Sequence, residues 1–201
     1  LLFDDELKES LDINKKEYLS YIGHAVVGHA FDVYLDFIKY AYKKGSKLKF
    51  MIATRTNLSK YLSKDKTLQE MISKGVLEVI HSKSLKNSEI NHAYLKSFCV
   101  WNVYRRSTQS GVLPKAFMFG TPVLASGIGS FPEYIRDGKN GYIVKKSEDY
   151  NHLLVLINEI QRKLEKMSLE ARMTFENICY YKIYTSKWKV LLDKLYRREI
   201  P

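Results

Sequence analysis

The residues best equipped for chemistry fall in one run, YRRSTQSGVLPK, from Tyr104 to Lys115. Gln109, Ser110 and Gly111 are small or turn-forming and stand directly before an apolar run that opens at Val112. A glycine at 111 lets the backbone come close to a bound group, and the free N–H groups of the next turn point the same way. Pro114 belongs in that first turn, where a missing N–H costs least. A loop that leads in this way into a helix N-terminus suits an anion, a phosphate above all. An ordinary helix cap would use the same residue types, so both readings stay open. Tyr104, Arg105 and Arg106 precede the loop. The planar guanidinium fork suits phosphate, with one of the two arginines expected to face solvent. Lys115 would pair with a phosphate or an acceptor carboxylate, or else face solvent.

Other chemistries find little support. His24, His29, His81, His92 and His152 are scattered without zinc spacing, and Cys99 and Cys179 lie far apart with no nearby ligand partner. No metal and no cofactor is expected. Two unpaired thiols fit a reducing cytoplasm.

Several elements must position the loop. YLSYIG, 18–23, reads as a buried strand ending in glycine, and a helix follows over 31–42, stopped by KKGSK at Gly45. LKFMIAT (48–54) and VLEVI (76–80) are further strands, with a helix over 58–73 between them. A helix over 87–97, capped by Asn87 or Ser88, leads into a fourth strand, FCVWNVY, at 98–104. TPVLAS and GYIV complete six strands, separated by a tight turn at Gly127 and Gly129. Ser130 and Glu133 have the spacing of a capping box, which accounts for Glu133 without a catalytic role. Ser147 is the expected cap of a later helix, with Leu153, Leu156, Ile157, Ile160 and Leu164 along its apolar face. Helices over about 169–180 and 185–198 end the chain. Strand–helix alternation of this kind implies an α/β fold: a Rossmann-like three-layer domain with a parallel six-stranded sheet, plus C-terminal helices. In such sheets ligands lie at the C-terminal ends of the strands, so the loops after Gly23, Ala53, Ile80 and Tyr104 should share one cleft.

The chain has 201 residues, 45% apolar and 27% charged, which is the composition of a globular domain. No apolar run is long enough to span a membrane. The net charge of +11 favours phosphorylated ligands, anionic lipid surfaces or nucleic acid, although a solvated basic face explains most such residues. Residues 1–17 read as a linker or truncated edge, 18–165 as the ligand-binding domain and 166–201 as C-terminal helices.

The order of helix, GTPV, strand, glycine turn and PE, followed by DGKNGYIV at 137–144, resembles the C-terminal domain of retaining glycosyltransferases of family 4 (group 1). The match is specific over about 107–144 and looser from Tyr18 onward. The resemblance implies one half of a GT-B fold, a nucleotide-sugar donor as substrate, a glycan or glycolipid acceptor and an N-terminal domain beyond this sequence. It also implies a cytoplasmic location with peripheral membrane association, and a role in surface polysaccharide synthesis. No nucleic acid is expected. The isolated domain would be inactive without its partner half, against which Trp188, Leu192 and Tyr196 would pack unless they pack on this domain.

In that family the departing diphosphate is held by an Arg and a Lys after the first strand and by amides at the glycine-containing helix start. The resemblance therefore assigns Gly23, His24, His29, Gln109, Ser110, Gly111 and Val112 to the donor phosphates. His24 stands where Arg is usual and His29 where Lys is usual; histidine donates to phosphate but is only partly charged near neutral pH. Tyr104, Arg105, Ser107, Thr108 and Lys115 are candidate donor or acceptor contacts. Ser107 and Lys115 occupy the positions of the family's paired glutamates, and no carboxylate occurs between Ser107 and Phe131. No residue is assigned as catalytic. The base would lie near Thr54, Arg55 and 82–85. The lost glutamates support a second reading, a non-catalytic partner or scaffold that keeps the fold.

Overall fold

The computed structural model describes residues 11–196. Six strands form one sheet in the order β3-β2-β1-β4-β5-β6: β1 Tyr18–Ile22, β2 Lys49–Thr54, β3 Leu77–His81, β4 Ser97–Asn102, β5 Val123–Ser126 and β6 Gly141–Val144. Every pairing is parallel. The order reverses between β1 and β4, and the crevice above that point is where open α/β sheets bind ligands. The sheet is buried on both faces, as parallel sheets must be. One face packs on α1 (Phe31–Lys43), with Trp101, Tyr34 and Phe37 in ring contact beneath it. The Tyr34 hydroxyl, wholly buried, donates to the Leu19 and Met51 carbonyls, so its polar end is satisfied inside the apolar layer.

Several helices depart from the expected limits for local reasons. The segment 58–73 is two helices, α2 (Ser59–Leu62) and α3 (Lys66–Ser73), because the Asp65 carboxylate accepts from Leu68 N–H and starts a new helix. In α4 (Asn87–Lys96) neither Asn87 nor Ser88 is the cap. That place belongs to Lys86, whose N–H donates to the Glu89 carboxylate. Strand β4 ends at Asn102, two residues early, releasing Val103 and Tyr104 into the loop. Helix α5 (Val112–Met118) follows that loop, and Gly120 closes it at φ +55°. The box expected at Ser130 and Glu133 does not form: α6 (Phe131–Tyr134) is one turn, with Ser130 in helical geometry and no side-chain cap bond. Glu133 is exposed. Asp149, not Ser147, caps α7 (Tyr150–Arg162), which buries Leu153, Leu156, Ile157 and Ile160. Leu164 instead opens α8 (Leu164–Thr174); a π-helical stretch, Phe175–Cys179, and α9 (Lys182–Tyr196) follow. The expected ends at 1–10 and 197–201 lie outside the described residues.

One polar anchor lies below the sheet. Lys16 is buried, and its ammonium donates to the Ser97 and Phe119 carbonyls and to the Thr121 hydroxyl. Phe119 ends α5, so a cation there also meets the negative end of a helix.

Candidate functional site

A cleft of about 330 Å³ opens at the C-terminal ends of β1 and β4. The loops after β1, β2, β3 and β4 all contribute to it, as the sheet topology requires. Gly23 leaves β1 at φ +124°, a conformation that disfavours any side chain. The chain then turns through His24 to His29. His24 is exposed, and its carbonyl accepts from the Tyr21 hydroxyl and from His29 Nδ1. The His29 ring stacks on Tyr104, with centroids 4.4 Å apart and planes within 14°. Burial pushes the Tyr104 phenol up to about 12, against a smaller opposite effect of its hydrogen bond with Ser110. It is therefore a neutral donor at ordinary pH.

The opposite wall is the loop into α5. Ser107, Gln109, Ser110, Gly111 and Val112 line it. Gly111 has ordinary helical dihedrals, and a Cβ there would meet no atom within 4 Å. The fold does not demand glycine at 111; an unobstructed backbone is what its absence of a side chain supplies. Gly129 differs. At φ +54°, a Cβ on it would come 2.4 Å from the Ser107 carbonyl oxygen and 2.7 Å from that of Thr108. Ser130 N–H donates to Thr108 O, so the glycine turn supports the loop from behind.

The two loops are clasped together. The Gly28 carbonyl accepts from the N–H groups of both Arg105 and Arg106. The Arg105 guanidinium forks onto Asp32, at 2.6 and 2.8 Å, and reaches the Val27 carbonyl. The hydrogen bonds from Arg105 hold the Asp32 carboxyl below its usual range. Arg105 is thus engaged across the cleft mouth, whereas the sequence offered it as a phosphate or substrate ligand. Arg105, Arg106, Ser107, Thr108 and Ile128 border a shallower depression beside the cleft. Lys115, in the last turn of α5, is not among the residues lining either.

At the far end, Arg55 donates through Nε and Nη2 to the Leu85 carbonyl, at 3.1 and 2.5 Å. Leu85, Ile90 and Tyr94 give that end an apolar wall. Asp32 and Thr56 (which accepts from Ala25 N–H) were not among the residues singled out in the sequence, since each acts on a partner distant in the chain. Arg55 and Leu85 were expected near one another beside the base; the bond between them was not. No acidic residue lines the cleft, and no group of His, Cys, Asp or Glu able to hold a metal occurs among the described residues. The arrangement presents backbone amides, hydroxyls and two imidazoles to one anionic ligand.

Residues 16–162 match the family model described as glycosyl transferases group 1. No curated protein sequence matches the chain. Among solved structures, the chain is similar to a pneumococcal O-GlcNAc transferase in complex with UDP and GlcNAc, at 18% identity and TM-score 0.66, over 90% of this chain and 36% of that one. It is similar to the C-terminal domain of a group 1 family glycosyl transferase from Francisella tularensis, at 17% identity and TM-score 0.63, over 80% and 85%. An Anabaena protein solved with UDP, HepE, aligns at 11% identity and TM-score 0.68, over 96% and 54%. The chain thus spans about a third of the pneumococcal enzyme and about half of the Anabaena protein.

Proposed function

This chain belongs to the group 1 glycosyltransferases, and from that premise we propose that its cleft binds the diphosphate of a nucleoside-diphosphate sugar. Transfer would proceed with retention to a glycan or glycolipid acceptor, completed by an N-terminal domain beyond this sequence. Residues 18–165 form the donor-binding domain in this reading, and 166–201 the helices that meet the other half. The observation that carries it is the pairing, at the switch between β1 and β4, of two donor-bearing loops with no carboxylate between them. As the sugar bond breaks, charge grows on the outer phosphate. Preorganised donors at that phosphate lower the barrier most. Gly111 would supply a main-chain N–H, Val112 another on release from Ser110 Oγ, which now accepts it at 3.3 Å, Ser110 a hydroxyl, and His24 and His29 imidazoles. UDP complexes of two structural neighbours agree with a nucleoside diphosphate as the ligand. Cytoplasmic residence with peripheral membrane association, and service in surface-polysaccharide synthesis, complete the proposal.

The test is a titration with UDP, GDP, ADP and CMP followed by amide NMR. Saturable binding of a diphosphate with shifts at Gly23, Ser110 and Gly111 is expected; shifts confined to other regions would refute the site. A second reading, a donor-binding relative that does not turn over, draws on the lack of any carboxylate in the cleft. Release of sugar from a bound donor by the complete protein would rule it out.

A further inference from the structure

We propose that Tyr104 is a positioning residue for the diphosphate: its phenol replaces Val112 N–H as the hydrogen-bond donor to Ser110, and so releases two donors to the ligand at once. The inference rests on the nucleoside-diphosphate reading above and concerns how the loop is readied for that ligand. Without one, the loop is closed on itself. Ser110 Oγ accepts from Val112 N–H at 3.3 Å, and its own proton goes to the Tyr104 phenol oxygen. Both Ser110 and Val112 line the cleft, yet their donors are engaged within the loop. A phosphate that merely drew Val112 N–H away would leave Ser110 Oγ without a donor. That loss offsets much of what the new bond contributes.

Tyr104 is placed to remove it. Its main chain is pinned to the end of β5, where Ser126 Oγ accepts from its N–H at 3.0 Å and donates to its carbonyl at 2.7 Å. Its ring stacks on His29 and meets Phe131 at 5.8 Å between centroids. Backbone and ring are therefore fixed, and the hydroxyl rotor is the part left free to turn. The phenol O–H has no acceptor among the described residues, so its proton is available. Once it points at Ser110 Oγ, the Ser110 proton and Val112 N–H can both turn to phosphate oxygens. The exchange leaves one hydrogen bond inside the loop and gives two to the ligand, each to a charged acceptor.

The experiment is calorimetric titration with UDP, GDP and ADP, read on the tightest of them. It compares the unaltered chain, Tyr104→Phe, Ser110→Ala and the double variant. Tyr104→Phe keeps the ring and its stack but lacks the proton, and should cost about three- to tenfold in affinity. With alanine at 110 the phenol has nothing to donate to, so the same change there should cost less than about twofold. Amide NMR of the unaltered chain gives a second readout, independent of how any variant folds. The Val112 amide proton should move downfield on binding, as its bond passes from a hydroxyl to a charged oxygen. Undiminished affinity in Tyr104→Phe, an equal loss in both backgrounds, or a Val112 amide unmoved at saturation overturns the assignment while the donor reading stands. Failure of every nucleoside diphosphate to bind overturns both.

Discussion

At His29, Nδ1 lies 3.2 Å from the His24 carbonyl oxygen, an atom that only accepts, so this nitrogen carries the proton. In the neutral ring Nε2 is then an acceptor and repels a phosphate oxygen. Only the imidazolium donates from both nitrogens. His29→Lys, which keeps a donor and a positive charge at that place, should bind diphosphate at least as tightly as the unaltered chain. His29→Ala should cost about tenfold in affinity, the scale of one charge-assisted bond. Calorimetry checks both, and unchanged affinity in His29→Ala would remove His29 from the phosphate site. Gly111 makes a complementary case. A Cβ there meets open space, so Gly111→Val should melt within a few degrees of the parent yet lose diphosphate binding, read by thermal denaturation and titration side by side. These two roles differ in how readable they were. A glycine before a helix start announces itself in sequence, but the proton on His29 depends on a carbonyl five residues back and on a turn no periodicity reports.

Among elements, the clasp between the loop after β1 and the loop after β4 is held by the Arg105–Asp32 pair, whose side chains are 41% and 46% exposed. Exposed pairs of this kind add little to stability, about 0–1 kcal/mol. Arg105→Leu should therefore barely alter unfolding free energy, while weakening diphosphate binding several-fold by freeing one wall from the other. A large stability loss with unchanged affinity would contradict this role. The Asp32 carboxyl is depressed by Arg105, so its small stabilising effect is present above its unfolded pKa of 3.8 and lost as pH falls below that. Helix α9 stands at the other extreme. Trp188, Leu192 and Leu195 are more than half exposed, and its main packing partner is the π-helical stretch at 175–179. Removing residues 181–201 should leave the melting temperature within about 4 °C and reduce self-association, measured by light scattering. The apolar residues of α9 were visible as a pattern. Their lack of a covering surface among the described residues was not, because periodicity says that a face is apolar and never what lies on it.

For the molecule as a whole, the strand sequence and the place of the cleft were legible because Gly23, Gly45 and Gly120 mark real stops, each at positive φ. Caps were less so. Ser130 and Glu133 have the right spacing, but Ser130 takes helical dihedrals in place of the extended ones a cap needs. Lys16 was illegible altogether, since its partners lie 81 to 105 residues away. Burial brings its ammonium from 10.5 to about 7, although three acceptors favour the charged form. Between those values the unfolded chain binds the proton and the folded chain does not. Stability contributed by this group is thus lost toward pH 7 and grows as pH rises toward 10.5. Urea unfolding at about pH 7.5 and about pH 9.5 should show the parent gaining on Lys16→Met, which at either pH leaves three acceptors without their donor and costs about 1–3 kcal/mol. A constant difference would mean that the three acceptors keep the ammonium charged.

The Gly28 carbonyl, which accepts from two successive amides of the opposite loop, has a bearing on time as well as on shape. Neither loop can open without breaking both bonds, so the walls of the cleft fluctuate as one cooperative unit and not as two independent flaps. The amide hydrogens of Arg105 and Arg106 are then a built-in clock for that event. In deuterated water they should show one common protection against exchange, set by the opening of the cleft, and gain protection together when a ligand fills it.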